Sequence, residues 1–329
     1  MSLYDVYGIG NALVDMEFEV TNDFLQKMNV EKGLMTLVEQ ERQSELLENL
    51  DGKQHKRSCG GSAANTMIAV SQLGGKAFYS CKVASDETGD FYYQDLVKEG
   101  VSSNINEQRE KGTTGKCMVF VTPDADRTMN TYLGITATFS ESELREEEIK
   151  KAKYLYMEGY LVTGPTGKAA AIKAKEIAKA NNVKTALTFS DPGVVSFFKE
   201  GFNEMIGEGV DLLFCNEAEA LSYTGTETIE QASVELKKIA KTFAITLGEK
   251  GAHVFDGQET IEVLTNKVEA VDTNGAGDLF AGAFLYGITN GLSYAQSARL
   301  ACSLSSQLVT QFGARLKKSQ VEQIKKETL

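Results

Sequence analysis

The stretch Leu212-Leu213-Phe214-Cys215-Asn216-Glu217-Ala218-Glu219 joins two kinds of sequence pattern. Its apolar run of four residues is typical of a short buried strand. Asn216 is a favoured helix cap, and Glu219, three residues further on, completes a capping box. The stretch therefore predicts a strand that passes directly into a helix, with two polar side chains where the strand ends.

The same alternation of strand and helix continues on both sides of this stretch. Strands are predicted at residues 154–157, 185–190 and 243–247, and helices at residues 166–181 and 194–206. Strands separated by helices of this length favour a parallel sheet with helices on both faces. In such sheets, ligands bind where the strands reach their carboxyl ends.

The first half of the chain departs from this alternation. Predicted strands at residues 117–122 and 128–133 flank a turn-rich connection, which is typical of a hairpin. Because no helix separates them, we expect a small antiparallel sheet outside the main one. The strand predicted at residues 13–20, which carries Asp15, can join it. An acidic helix is predicted at residues 141–150.

Length, charge and composition exclude several classes of protein. A chain of 329 residues can form one large α/β domain with an insertion, and two full domains are the alternative. A net charge of −12 argues against binding to nucleic acid or to an anionic membrane surface. No apolar run approaches the length of a membrane span, and no signal peptide is recognisable.

Cysteine and histidine usage indicates the cellular compartment and limits the chemistry. Five well-separated cysteines, with no C-x-x-C pair, are typical of reduced core residues in a cytosolic protein. With only two histidines, a His/Cys metal site or a Ser-His-Asp triad is poorly supported.

A glycine-containing stretch, Val271-Asp272-Thr273-Asn274-Gly275-Ala276-Gly277-Asp278, predicts the site of the chemistry. A β-prone run at residues 268–271 leads into it and a helix pattern leads out. The glycines let backbone N–H groups surround a concavity, and the helix N-terminus adds positive potential, so the turn suits a phosphate. Asp278 can then accept a proton from a hydroxyl that attacks a phosphoryl group. The helix dipole should keep it ionised, and a weak base suffices when the proton leaves late. The alternative is an acid that only stabilises its helix.

A second glycine turn, Cys59-Gly60-Gly61-Ser62-Ala63-Ala64-Asn65, opens another predicted helix. Small residues let a ligand approach the backbone, and Asn65 offers both a donor and an acceptor. A helix cap with small packing residues would look the same. Other phosphate-binding signatures fail: Gly8-Ile9-Gly10 resembles the start of a dinucleotide fingerprint, but Leu13 replaces its third small residue, and no Walker or protein-kinase loop is present.

These two turns, together with the stretches at residues 216–219 and 246–251, resemble the PfkB/ribokinase family of carbohydrate and nucleoside kinases. The resemblance implies a ribokinase-like α/β fold, in which a Rossmann-like, mostly parallel sheet has helices on both faces and a small β-sheet lid. It implies a single domain of residues 1–329 with a lid formed by about residues 12–38 and 104–135. It also implies ATP, Mg²⁺ and, in many members, a monovalent cation such as K⁺.

The resemblance assigns roles to the residues around the phosphoryl group. Asp278 matches the general base, and the backbone amides of Gly275, Ala276 and Gly277 match the anion hole. Arg127, at the hairpin, is a candidate clamp on the transferring phosphate. An exposed turn arginine paired with Asp124 or Asp126 is the equally favoured alternative.

The resemblance also assigns residues to the nucleotide. Asn216 and Glu219 match an N-x-x-E motif that organises Mg²⁺ through waters, with the capping box as the alternative role. Thr246, Gly248 and Gly251 resemble the nucleotide-phosphate loop, although a plain hairpin turn would look the same. Cys302 and Ser305 are candidates for the wall of the adenine pocket, and an ordinary buried helix explains them equally well.

On the acceptor side, Gly60, Gly61 and Asn65 resemble the contacts to the acceptor hydroxyls. Asp15 resembles a carboxylate that takes two vicinal sugar hydroxyls, or is simply a solvent-facing strand acid, and Asn11 lies in the same stretch. Residues 10–15 and 126–134 look most like the adenosine kinase-like bacterial branch of the family. An adenosine base would need an apolar slot, for which the candidates are Phe18, Met35, Leu37, Phe120 and Leu133.

The predicted function is therefore ATP-dependent phosphorylation of a nucleoside, with adenosine favoured. A sugar kinase acting on fructose or ribose is the alternative within the family. An NAD-dependent oxidoreductase and a catalytically silent nucleoside- or sugar-binding protein are alternatives from other classes. We expect small-molecule partners only, and either a monomer or a homodimer.

Overall fold

The larger of two sheets carries nine strands in a computed structural model of the chain, which describes residues 2–33, 35–50, 54–105, 109–124 and 127–329. With strands numbered in chain order, these are β1 (Tyr4–Ile9), β5 (Ala77–Ser80), β6 (Ser102–Ser103), β9 (Ala152–Met157), β10 (Lys184–Thr188), β11 (Val210–Asn216), β12 (Ala240–Thr246), β13 (Ala252–Phe255) and β14 (Thr260–Val263). The order across the sheet is β14-β13-β12-β11-β10-β9-β1-β5-β6. The strands from β12 to β6 run parallel, and the β13–β14 hairpin is antiparallel.

Helices cover both faces of this sheet, as predicted. They are α3 (Ser62–Gln72), α4 (Glu87–Lys98), α5 (Glu146–Ile149), α6 (Pro165–Ala180), α7 (Pro192–Phe197), α8 (Lys199–Ile206), α9 (Glu217–Thr224), α10 (Ile229–Leu236), α11 (Ala276–Thr289), α12 (Tyr294–Leu308) and α13 (Lys318–Thr328). The helices α1 (Asn22–Lys27) and α2 (Gln40–Glu48) pack on the smaller sheet instead. Successive side chains of a strand face opposite ways. Leu212 and Phe214 therefore pack against α3, α11 and α12, and Leu213 and Cys215 pack against α6 to α10.

The smaller sheet has five strands among the residues that the structure describes. They are β2 (Leu13–Glu19), β3 (Met35–Leu37), β4 (Gln54–Gly60), β7 (Thr114–Val121) and β8 (Arg127–Gly134), in the order β3-β8-β7-β2-β4. The predicted β7–β8 hairpin and the joining of β2 are confirmed. The expectation of an antiparallel sheet is wrong, because β2 pairs with β7 and β3 with β8 in parallel. Strand β4 was not predicted, since its sequence is mostly polar.

The two faces of the smaller sheet have different surroundings. One face carries Phe18 and Phe120, which pack into a core with Leu25 and Leu46 from α1 and α2. Asp15 lies on the opposite face, in register with Cys117 and Thr131 of the neighbouring strands. That second face is directed away from the α1–α2 core.

Three local predictions were wrong. Residues 268–271 form no strand; instead the amides of Val271 and Asp272 both donate to the Val309 carbonyl at the end of α12. The helix expected at residues 194–206 is two helices, α7 and α8, which meet at Phe198, where the backbone leaves the helical conformation. The acidic segment at residues 141–150 is a 3₁₀ turn followed by the short α5.

Helices α3 and α11 approach each other closely because small residues lie between them. A Cβ atom built on Gly282 would lie 2.6 Å from both the Ala69 Cβ atom and the Thr66 carbonyl oxygen. No real Cβ fits at that distance, so a side chain there would push the helices apart. The contact brings the first turns of these two helices together.

We expect Gly282→Ala to lower the free energy of unfolding by roughly 1–3 kcal/mol, because overpacking outweighs the better helix propensity of alanine. Urea unfolding of the ligand-free protein measures this change. Gly277→Ala is the matched control in the same helix, since nothing lies within 4 Å of a Cβ built there. Equal stability of the two variants would contradict the close-packing argument.

Candidate active site

Asp278 lies in the first turn of α11 and is held by the first turns of α3. The Ser62 hydroxyl donates to its Oδ1 at 2.6 Å, and the Asn65 Nδ2 donates to its Oδ2 at 3.0 Å. Burial raises the pKa of Asp278, and these two hydrogen bonds lower it; the net shift is upward. The expectation that the helix dipole alone keeps the carboxyl ionised is therefore incomplete, because desolvation opposes it. The two glycine turns identified in the sequence meet at this carboxylate.

The turn before α11 is fixed by one carboxylate. Asp272 accepts the Asn274 amide on Oδ1 at 3.0 Å and the Gly313 amide on Oδ2 at 2.8 Å. Gly275 adopts a φ of 75°, and a Cβ there would lie 2.7 Å from the Ala314 Cβ, so only glycine fits. The turn is thus clamped against residues 313–314.

The three amides of the predicted anion hole differ in their availability. The Ala276 amide donates to the Thr273 carbonyl at 3.2 Å. Gly277 faces open space, with no atom within 4 Å of a Cβ built there, and its amide has no acceptor among the residues that the structure describes. No acceptor is recorded for the Gly275 amide either among these residues, so in this conformation the amides of Gly275 and Gly277, and not that of Ala276, are available to bind an oxyanion.

The acceptor-side glycines are required by close approach of other groups. A Cβ on Gly60 would lie 2.3 Å from the Asp15 carboxylate. Gly61 has a φ of 98°, and its Cβ would lie 2.2 Å from the Asn11 carbonyl oxygen. The structure therefore brings Asn11, Asp15, Gly60 and Gly61 together, next to the helix that carries Asn65.

Glu158 is a buried carboxyl in this site that the sequence analysis missed. It is 1% exposed, and its Oε1 and Oε2 accept the amides of Asn11 at 3.1 Å and Ala63 at 2.8 Å. Burial raises the pKa of Glu158 to about 7, against the lowering effect of these hydrogen bonds. It directly follows β9, at the same edge of the sheet where Asn216 ends β11, so the same positional rule could have identified it.

Asn216 and Glu219 form the capping box that the sequence predicts. The Asn216 side chain caps the Glu219 amide at 2.8 Å, and the Glu219 carboxylate accepts the Asn216 amide and Nδ2, each at 2.9 Å. Glu219 is buried, which raises its pKa to about 7, and it interacts electrostatically with Asp191 and Asp278. The cap and a role near the phosphates are therefore compatible.

The remaining nucleotide-side residues lie along one edge of the sheet. Thr246 is in register with Asn216 on the neighbouring strand. Gly248 and Gly251 both have positive φ, and a Cβ on Gly251 would lie 1.9 Å from the Val263 carbonyl oxygen. These contacts explain the glycines as turn residues, and their role at the nucleotide stays a prediction.

The three other predicted site residues are Ser305, Cys302 and Arg127. The Ser305 hydroxyl donates to the Ala276 carbonyl at 3.0 Å, which ties α12 to the glycine turn. Cys302 is buried, and its carbonyl accepts the Thr265 hydroxyl at 3.2 Å. The side chain of Arg127 lies outside the part of the chain that the structure describes. Sequence analysis also gave no role to Ser62 or to Arg315, whose Nε donates to Asn65 Oδ1 at 3.2 Å.

All five cysteines are buried, as predicted for core residues, and none of these described residues forms a disulfide. Within the described residues, no group of three His, Cys, Asp or Glu side chains is arranged to bind a metal directly. Across the same residues, no helix combines the length and the apolar character needed to cross a membrane.

Comparison with known proteins relates the chain to kinases of small molecules. The chain matches the pfkB family carbohydrate kinase pattern over residues 32–320. Adenosine kinase of Saccharomyces cerevisiae is 28% identical over 304 residues, which cover 86% of this chain and 88% of the yeast protein.

Two solved structures share both fold and substantial identity with the chain. A probable sugar kinase from Rhizobium etli is 35% identical, with a TM-score of 0.90 over 99% of both chains. Adenosine kinase from Sinorhizobium meliloti is 36% identical, with a TM-score of 0.90 over 98% of this chain and 99% of its own. The predicted ribokinase-like α/β fold, with a large mostly parallel sheet and a smaller second sheet, is confirmed.

The raised pKa of Glu158 makes stability depend on pH. Between pH 4.5 and about 7, the folded state holds a proton on Glu158 that the unfolded chain releases. This contribution is complete below pH 4.5 and is lost as pH rises through about 7, a change of roughly 3 kcal/mol.

We therefore expect the unfolding free energy of Glu158→Gln to decrease less between pH 4.5 and 7.5 than that of the wild type. A change in stability that is the same at every pH does not affect this comparison. Urea unfolding at a series of pH values measures the slope. Glu176→Gln, an exposed substitution on α6, is the control. An unchanged slope in Glu158→Gln would show that Glu158 is ionised throughout this range.

Proposed function

The chain belongs to the pfkB family of carbohydrate kinases and is an ATP-dependent phosphotransferase acting on an alcohol; from this premise we propose that it phosphorylates the primary hydroxyl of a nucleoside, with adenosine favoured. The observation that carries the proposal is the position of Asp278. Its carboxylate lies between the acceptor-side helix and a glycine turn with a free amide. An attacking hydroxyl and a phosphoryl group would meet there.

The faces of the smaller sheet support a nucleoside as acceptor. Met35, Leu37 and Leu133 lie on the same face as Asp15, because their positions share its register and alternation. Met35 and Leu37 are 39% and 56% exposed, so this face presents apolar surface beside a carboxylate. Such a surface suits a flat base, and Asp15 suits the vicinal ribose hydroxyls.

Phe18 and Phe120, two of the candidates for the base slot, do not line it. Both are buried on the opposite face of the sheet, in the core under α1 and α2. They stabilise the smaller sheet and cannot reach an acceptor on the Asp15 face. The proposed slot therefore depends on aliphatic and thioether side chains.

Transfer would proceed in one step at the Asp278 carboxylate. The acceptor oxygen forms a bond to the γ-phosphorus as the bond to the ADP oxygen breaks, and Asp278 takes the hydroxyl proton late in the reaction. The Gly277 amide donates to an oxygen of the transferring group. The α11 N-terminus stabilises the charge that develops there.

The residues beside the phosphates fit a divalent cation. Glu219 is buried with a raised pKa, and its carboxylate oxygens keep lone pairs beyond those that bind Asn216. Asn216 and Glu219 would hold Mg²⁺ through waters, and the ion would neutralise phosphate charge. The monovalent cation stays a prediction from the resemblance.

We expect ADP release from ATP and Mg²⁺ in the presence of adenosine, falling by about 10²–10⁴ in kcat in Asp278→Asn, since a general base contributes that much. Because burial raises the pKa of Asp278, wild-type kcat should fall as pH decreases through that pKa. The assay includes inosine, guanosine, cytidine, ribose, fructose and fructose 6-phosphate. Asp23→Asn, in the first turn of α1, is the matched control for a helix-stabilising acid.

The outcomes separate the alternatives. Near-normal turnover by a folded Asp278→Asn would overturn the mechanism. Turnover only with a sugar would keep the mechanism and replace the acceptor. Silence with every acceptor would favour a binding protein.

We further expect Gly277→Ala to leave the unfolding midpoint unchanged or slightly raised while kcat falls roughly hundredfold. The amide is retained, but the methyl group would keep the phosphoryl oxygen away from it, which has the same effect as losing the donor. The added methyl group meets no protein atom, so it can interfere only with a bound ligand. Steady-state kinetics and thermal unfolding of the same preparation test both halves. Wild-type kcat in this variant would place the phosphoryl group elsewhere.

A further inference from the structure

A buried arginine joins three elements behind the acceptor side of the site. Arg315 follows α12, and its guanidinium donates to Asn65 on α3, to Asp95 on α4 and to Cys59 on β4. The distances are 3.2 Å from Nε to Asn65 Oδ1, 3.2 Å from Nη1 to Asp95 Oδ2 and 3.0 Å from Nη2 to Cys59 Sγ. The side chains of Arg315 and Asp95 are only 13% and 18% exposed.

The ion pair fixes the plane of the guanidinium. Asp95 Oδ2 also accepts the Cys59 amide at 2.9 Å, so its position is set by the strand end as well as by Arg315. A guanidinium presents its donors in a rigid fork, and anchoring Nη1 and Nη2 therefore determines where Nε points. It points at Asn65.

The orientation of the Asn65 amide follows from this contact. An amide has one accepting and one donating end, and arginine can only donate, so the Asn65 oxygen must face Arg315. The Asn65 Nδ2 group then faces Asp278, to which it donates at 3.0 Å. We propose that Arg315 is a positioning residue, which holds the Asn65 amide so that Nδ2 donates to the general base Asp278; this inference rests on the function proposed above.

A flipped amide would have the opposite effect on the base. Its oxygen would face Asp278 and would favour the protonated carboxyl, which can donate to it. Of the two side-chain hydrogen bonds described at Asp278, only that from the Ser62 hydroxyl would remain. Loss of the contact between Arg315 and Asn65 should therefore lower kcat. It should also move the acidic limb of the pH profile of kcat to higher pH.

Arg315 also lies beside other parts of the site. Gly313 and Ala314, which precede it, contact Asp272 and Gly275 of the phosphate turn. Asp15 interacts electrostatically with the Arg315 guanidinium. The side chain thus belongs to a segment that touches both the phosphate turn and the acceptor contacts.

Other titratable groups interact with Asp278 and enter the interpretation of any pH profile. They are Glu158 and Glu219, whose carboxyls both have pKa values raised to about 7, the buried phenol of Tyr156 and the partly buried phenol of Tyr160. None of them receives a hydrogen bond from Arg315 among those described. A shift between variants therefore reports on the changed contact.

The test is the pH dependence of kcat in Arg315→Lys, with ATP and whichever acceptor the wild type uses. Lysine keeps a positive charge for Asp95 but lacks the fork that reaches Asn65. We expect kcat to fall roughly tenfold, its acidic limb to move to higher pH, and the KM for ATP to change less than twofold.

Two further variants make the result decisive. Arg315→Met combined with Asp95→Asn removes the ion pair without leaving a buried charge, and should shift the limb in the same direction if Arg315→Lys does not fold. In an Asn65→Leu background, Arg315→Lys should add no further shift, because the two residues act through one contact.

The outcomes separate this inference from the function on which it rests. If Asp278→Asn is inactive but the acidic limb of the kcat profile in the folded Arg315 variants stays at the wild-type pH, the positioning role alone is overturned. Lower stability with unchanged kcat per folded molecule would also overturn it. Near-normal turnover by folded Asp278→Asn would overturn the proposed mechanism, and with it the positioning role that rests on it.

Discussion

The rest of the site depends on one carboxylate held between two helices. Asp278 accepts hydrogen bonds from Ser62 and Asn65, so the amino ends of α3 and α11 must lie side by side. Gly282 permits this, because the helices pack with almost no side chain between them. One glycine turn leads into each helix, and both turns open toward the same space. The proposed phosphate site and the proposed hydroxyl site therefore become neighbours through helix packing.

The same arrangement concentrates carboxyl groups where the proposed function places a triphosphate. Glu158, Glu219 and Asp278 all have pKa values raised by burial, and both glutamates interact electrostatically with Asp278. Part of this unfavourable charge is offset locally by backbone amides and hydroxyls. The remainder favours a cation or a proton, so the state of the ligand-free site should respond to pH and to divalent ions.

The sequence was informative where a structural rule is local. The capping box at Asn216, the turn at Gly275 and the βα alternation all depend on residues a few positions apart, and all are present. Alternation along a strand would also have separated Phe18 from Asp15, since residues three apart face opposite ways. The contact of Arg315 with Asn65 could not be read in this way, because 250 residues separate them. Strand β4 was missed because polar residues of an edge strand carry no apolar pattern.

That long separation also orders the events of synthesis. The segment that clamps the glycine turn and reaches Asn65 is translated after Asn65, from which Arg315 is separated by 250 residues. Ribosomes synthesise about 5–20 residues per second, so many seconds pass between the synthesis of Asn65 and that of its partner Arg315. Until then the nascent chain can fold much of its central sheet but lacks a finished catalytic centre. Under the proposed function, activity would therefore appear only after residues 313–315 have been translated.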